Sequence, residues 1–169
     1  MNLSFYRLIK KLFNDENHGE EMSFLRGVPI FFGLSSHQLG RIMQAIQKRK
    51  YYAGEILFQE GQIGKAVFII KTGRVELVKN VPEGGEPRLL GNLGPGQIFG
   101  EMALLEHRPR TASARVVEDG EIFLLYTATL EALLKNHPAI GVKLMRNIAV
   151  MLSALLRRTN QELENQKKS

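Results

Sequence analysis

The sequence predicts a mainly β fold with flanking helices, an eight-stranded jelly-roll β-barrel, and three observations carry that expectation. From Arg49 to Tyr126 the apolar period shortens to strand-like alternation, and short β-type runs recur between glycines. Before Arg49 and after Tyr126, apolar residues return at helical spacing instead. With 169 residues, 44% hydrophobic and 24% charged, the chain has the size and make-up of one soluble domain that buries a single core unaided.

Taken in order, Phe5, Leu8, Ile9, Leu12 and Phe13 fall on one helical face with Arg7, Lys10 and Lys11 opposite. A basic amphipathic helix of this kind packs back on its own domain, lies in a partner's groove or rests on an anionic membrane, so peripheral membrane contact of residues 1–14 is one of its expected uses. Residues 14–21 read as a polar linker, which closes a first segment at residues 1–22. Helices are expected over 23–33 and 34–48, the second capped by Ser35 or Ser36 ahead of the stripe Leu39, Ile42, Met43, Ile46. Eight strands are expected at 50–52, 55–59, 66–71, 74–79, 88–93, 97–99, 113–118 and 121–126. Gly54, Gly61, Gly64, Gly73 and Gly96 fall at their turns and receive no ligand role, and residues 81–87 form a solvent-facing hairpin tip.

Beyond the strands, Thr127 or Thr129 can cap a short helix that runs to Lys135 and is broken at Pro138, so that the barrel with its helices occupies 23–137. The segment 138–169 holds a long helix and a polar tail from Gln161. Its apolar residues, from Ile140 through Leu144, Ile148 and Leu152 to Leu163, cover an arc of roughly 160°, wider than one packing contact needs. Burial on two sides is the expectation.

The chemistry gathers between Ile98 and Ala114. Gly100 permits close backbone approach, Glu101 brings a carboxylate acceptor, and residues 102–105 can form one helical turn whose first N–H groups lack partners, a seat for an anion. Pro109 favours a bend that returns Arg110 over the same seat, where its planar fork could grip a phosphate through two bonds. Taken singly, Gly-Glu is a common turn pair and an arginine after proline is usually a solvated surface residue. Their combination is what points to a ligand.

Phe99-Gly100-Glu101-Met102-Ala103-Leu104-Leu105 followed by Pro109-Arg110-Thr111-Ala112-Ser113 resembles the phosphate-binding cassette of the cyclic-nucleotide-binding domain. Bacterial catabolite-regulator and Fnr-like proteins, kinase-regulatory domains and gated channels share that domain. The run Val28-Pro29-Ile30-Phe31-Phe32-Gly33-Leu34-Ser35 resembles its helical lead-in, and Glu101 and Arg110, nine positions apart, match the spacing of the kinase and channel versions. The resemblance implies that Glu101 takes the ribose 2′-hydroxyl, that Arg110 takes the cyclic phosphate, and that backbone N–H groups near Gly100, Ala103 and Leu104 complete the phosphate shell. Met102, Thr111 and Ala112 belong to the same implied site. Thr111 stands where base preference is set, with cyclic AMP the expected ligand and cyclic GMP the alternative. Thr159 lies within the apolar arc of the long helix, and two readings of it stay open. Either it is solvated where the helix leaves the barrel, or with Asn160 it meets the purine edge, as the match of Arg157-Arg158-Thr159-Asn160 to the bacterial regulators implies.

The same resemblance implies a homodimer through the long helix, a helix movement on binding, and an effector protein that reads it. With no cysteine in the chain, thiolate metal sites, cysteine nucleophiles and disulfides are excluded, and a cytoplasmic location fits. His18, His37, His107 and His137 are scattered and form no His-x-His or His-x-Asp/Glu pair on a barrel strand, so no metal and no cofactor are expected. Neither the glycines between Gly94 and Gly100 nor Gly64-Lys65 has the setting of a nucleotide loop, and no nucleophile–base set can be assembled, so the chain is read as a non-enzyme. The polar end after Gln161 is too short for a helix-turn-helix, so direct DNA binding is not expected of this chain. A ligand-free interaction module is the remaining alternative, and it is disfavoured because Glu101 and Arg110 are both present. The net charge of +6 permits an acidic partner without choosing one. Residues 139–156 are interrupted by Lys143 and Arg146 and read as too charged to span a membrane.

Overall fold

The structure is a computed structural model that describes residues 19–80, 86–104 and 108–167. The expected N-terminal amphipathic helix, most of the linker and the tip of the hairpin at 81–85 lie outside the described residues. All eight expected strands form: β1 (Gln47–Tyr51), β2 (Ile56–Phe58), β3 (Ala66–Ile70), β4 (Arg74–Lys79), β5 (Arg88–Leu93), β6 (Ile98–Phe99), β7 (Ser113–Glu118) and β8 (Gly120–Tyr126). Only β1 departs notably from its expected bounds. It starts at Gln47, inside what the sequence assigned to a helix, because Gln47, Lys48, Arg49 and Lys50 form an exposed, charged edge strand held by its ladder to β8 and not by an apolar period.

Two antiparallel sheets result, ordered β1-β8-β3-β6 and β2-β7-β4-β5. Between them lies one cluster in which Phe68, Ile70, Phe99, Ile122 and Leu124 of the first sheet meet Val75, Ala114 and Val116 of the second. In β7 the alternation is clean, with Ala114 and Val116 buried and Arg115 exposed. Every residue of β3 is buried, so that sheet is covered on both faces at its centre. The tight β3–β4 turn depends on Gly73, whose φ is +84° and where a Cβ would come within 2.6 Å of the Glu118 carbonyl oxygen.

By contacts the chain divides into two compact units. One runs from Arg41 to Lys135 and holds the strands; the other joins the described residues up to Gly40 to those from Asn136 onward. In the helical unit, α1 covers residues 19–27 and a 3-10 turn follows at Pro29–Phe31, while α2, Ser36–Ala45, runs across the unit boundary at Gly40. Two sequence expectations are corrected here. Residues 19–21 are helical and Glu21 is buried, so this part of the polar run is not linker, and the helix expected over 23–33 ends where Pro29 cannot continue it. Ser35 is the cap of α2: its Oγ accepts from Gln38 N–H at 3.2 Å while Gln38 Oε1 accepts from Ser35 N–H at 3.0 Å, a reciprocal capping box.

After α3 (Thr127–Asn136), α4 (Pro138–Lys167) is one helix that continues through the expected polar tail. Ile140, Leu144 and Ile148, spaced by one helical turn each, are 1–2% exposed, worth on the order of 1.5–3 kcal/mol apiece. Polar groups reinforce that face. Lys143 Nζ donates to Gly33 O and Gln38 Oε1, and Asn147 Nδ2 donates to Ile30 O and Phe32 O, satisfying carbonyls around the 3-10 turn. The second side is open, with Val142, Val150, Leu155 and Leu156 exposed, so two-sided burial does not occur within one chain. By length and composition Pro138–Gln161 is apolar enough to cross a membrane, an 18-residue window within it having a mean hydropathy of 1.6, which corrects the expectation drawn from Lys143 and Arg146. Only 17% of that window is buried, Ile140, Leu144 and Ile148 among it.

Candidate anion-binding site

Pairing between distant segments fixes the backbone of Arg110. Its N–H donates to Gln62 O at 2.7 Å, its carbonyl accepts from Gly61 N–H at 2.9 Å, and Pro109 bridges to Ile63. Ser113 Oγ accepts from Glu60 N–H at 2.9 Å, extending the same seam. The side chain thereby reaches inward. Its Nη1 donates to Gly100 O at 3.1 Å, its Nη2 to Ala66 O at 2.7 Å, and its Cζ sits 4.1 Å from the Phe58 ring centroid and 5.7 Å from that of Phe68.

Gly100 makes the space for this. Its φ is +72°, and a Cβ there would lie 2.5 Å from Arg110 Nη1 and 3.2 Å from Cζ, so any side chain would drive the guanidinium out. The sequence expectation of close approach at Gly100 holds, with Arg110 as the group that approaches. The turn after it is a 3-10 turn at Glu101–Leu104, beginning one residue earlier than expected, and Leu105 is outside the described residues. Glu101 is half-buried and Met102 is 47% exposed, while the backbone of Ala103 and Leu104 completes the turn. Thr111 is exposed and Ala112 is buried. Thr159 and Asn160 are exposed residues of α4, in the helical unit.

Electrostatically the centre of the site is a partly buried cation with no carboxylate in contact among the described residues. Burial pulls the Arg110 pKa below the ordinary arginine value, and the charge of Glu101 partly offsets that. Arginine does not give up its proton, so the charge persists despite its partial desolvation. One donor is also unspent: Nε is buried with no hydrogen-bond partner. No group of three His, Cys, Asp or Glu side chains among the described residues could hold a metal.

A shallow concavity of about 710 Å³ lies elsewhere, on the face of the second sheet that turns away from the core, lined in part by Ile56, Glu76, Val78, Leu89 and Arg115. Its charged groups already have partners, Arg115 Nη2 lying 3.0 Å from Glu76 Oε2 and Glu60 accepting from the backbone N–H of Asn80. Arg110, with an unspent buried donor and no ion pair among the described residues, is the better candidate centre.

Sequence reasoning missed Phe58, Ala66 and the Gly61-Gln62 segment. Phe58 reads as an ordinary core residue of β2, and a carbonyl leaves no mark in a sequence. The one available signal was the glycine at 61 beside an expected strand end.

Comparison with known proteins identifies the family. A family model described as the cyclic nucleotide-binding domain matches residues 48–137, more than half of the chain. The chain is 35% identical over 140 residues to a cyclic AMP receptor protein of Thermus thermophilus, covering 83% of this chain and 62% of that protein. It is 31% identical over 145 residues to a cGMP-dependent protein kinase of Caenorhabditis elegans, covering 81% of this chain and 19% of the kinase. Among solved structures, a cyclic nucleotide-binding domain from Methylobacillus flagellatus superposes with a TM-score of 0.75 at 25% identity, over 85% of this chain and 84% of that one. The chain thus spans about three-fifths of the length of the bacterial receptor it resembles.

Proposed function

Because the chain belongs to the cyclic nucleotide-binding domain family, we propose that it is a cyclic AMP sensor which signals through movement of α4. The single observation that supports this most is Arg110, a half-buried cation whose Nε donor is unspent, held next to the turn at Glu101–Leu104. In this reading the cyclic phosphate meets Arg110 and the N–H groups of Gly100, Ala103 and Leu104, and Glu101 takes the ribose hydroxyl. Met102, Thr111 and Ala112 frame the nucleotide, and Thr159 with Asn160 reaches the base when α4 closes. The ligand is bound and released unchanged.

Cyclic GMP is the second reading. The exposed hydroxyl of Thr111 favours it, as does the similarity to a kinase named for cyclic GMP. The preference for cyclic AMP rests on the higher identity to a receptor named for that nucleotide.

The open side of α4 supports a homodimer. Met145, Leu152 and Thr159 recur every seven residues, and Val142, Leu155 and Leu156 stand exposed beside them, an apolar side for a second α4. For binding to signal, the nucleotide must favour the closed helix over the open one, and an effector protein in the cytoplasm must read the difference. Titration of nucleotide-stripped protein with cyclic AMP, cyclic GMP and 5′-AMP tests the reading. Cyclic AMP is expected to bind tightest and 5′-AMP weakest; equal binding of 5′-AMP would remove the cyclic phosphate from the account.

A further inference from the structure

We propose that Phe58 is a positioning residue of the anion site, its ring carrying the Arg110 guanidinium and fixing the plane in which that group meets its ligand. The inference rests on the reading of Arg110 as the anion-binding residue.

Three constraints converge on the guanidinium. Two act near its edge, the bonds from Nη1 to Gly100 O and from Nη2 to Ala66 O. The third is the Phe58 face, with Cζ 4.1 Å from the ring centroid. The ring is itself held: Phe68 lies 5.4 Å and Phe99 6.0 Å from it, centroid to centroid, and those two stack on each other at 5.1 Å. Phe68 and Phe99 are almost fully buried. Phe58 therefore cannot swing aside without disturbing the three-ring cluster.

The chemistry of that support matters. A carboxylate in the same place would neutralise Arg110 and compete with any anion. The negative face of a ring stabilises the cation through its quadrupole while leaving the charge uncancelled. It also suits a flat guanidinium better than a compact ammonium. Phe58 thus answers the desolvation of Arg110 and keeps the group available to a ligand, a role that a leucine of similar bulk would fill sterically but not electrostatically.

The test uses the full chain with Phe58→Leu and Phe58→Tyr, two readouts, and cyclic AMP and cyclic GMP as probes. In titrations, Phe58→Leu is expected to weaken nucleotide binding by about 2- to 30-fold, while Phe58→Tyr, which keeps the ring face, restores most of the affinity. A purely structural role would lower the melting temperature of Phe58→Leu and leave the affinity of the folded protein unchanged, which would overturn the proposal. Independently of any nucleotide, the Arg110 Nε–H signal in a ¹H–¹⁵N spectrum, assigned by its loss in Arg110→Lys, should move in Phe58→Leu as the ring-current shift disappears. If the wild type takes neither nucleotide, the ligand reading fails by itself, and Phe58 is judged on that signal: a shift sustains its positioning role, and an unmoved signal ends it.

Discussion

Arg110 brings a permanent charge to a place where burial opposes it, and the surrounding residues restrain that charge without cancelling it. Two carbonyls and an aromatic face hold the guanidinium, and Glu101 acts on it through space. Gly100 is the residue on which the geometry turns. Gly100→Ala would place a methyl group 2.5 Å from Arg110 Nη1 at a φ of +72°. Stability is expected to fall by about 1–3 kcal/mol in urea denaturation, and nucleotide affinity by about ten-fold or more in titration, since the displaced guanidinium loses its place in the site. A Gly100→Ala protein that binds like wild type would show that the inward position of Arg110 is not the binding one. The glycine between β6 and the turn was legible in the sequence because a local rule governs it, and the Glu101–Arg110 spacing was legible through its resemblance to the family cassette. Phe58 and Ala66 were not, because they reach Arg110 only through the pairing of residues 61–63 with 109–110. Nothing local in β2 distinguishes a ring that carries a cation from one that only fills the core.

The strands show how far local pattern goes. Seven of the eight fall within two residues of their alternating runs, since an apolar face and a glycine turn suffice to specify them. Misreadings occur where the usual signal is absent: β1 is a charged edge with no apolar period, and α1 begins among glutamates that look like linker although Glu21 is buried. For the helices, the capping box at Ser35 predicts that Ser35→Ala loses about 1 kcal/mol of stability, read as a lower urea midpoint with an unchanged slope. In α4 the two sides should respond differently. Ile148, 1% exposed, is expected to cost about 2–5 kcal/mol when cut to alanine, seen as a large drop in thermal midpoint. Leu155, 54% exposed, should tolerate lysine within about 0.5 kcal/mol of monomer stability while the dimer dissociates in sedimentation velocity. If Leu155→Lys sediments as the wild type does, the side of α4 that carries Leu155 is not the dimer contact.

For the molecule as a whole, the division into a strand unit and a helical unit gives the proposed switch its parts. The anion site is built wholly from residues of the strand unit, whereas Lys143 and Asn147 tie α4 to the carbonyls near the 3-10 turn within the helical unit. Ligand that binds only the folded chain must also stabilise it, by about 2.7 kcal/mol at a hundred-fold excess over its dissociation constant. A thermal shift with cyclic AMP that is absent with 5′-AMP is therefore expected. In the proposed site, the cyclic phosphate binds the charge of Arg110 that no neighbour cancels among the described residues. Calorimetric titration of wild type and Arg110→Ala with cyclic AMP, under identical salt, tests it most directly. The substitution is expected to weaken binding by about 2–5 kcal/mol, since a buried charge pair would lose one partner; affinity unchanged in Arg110→Ala, with the fold intact, would contradict the claim.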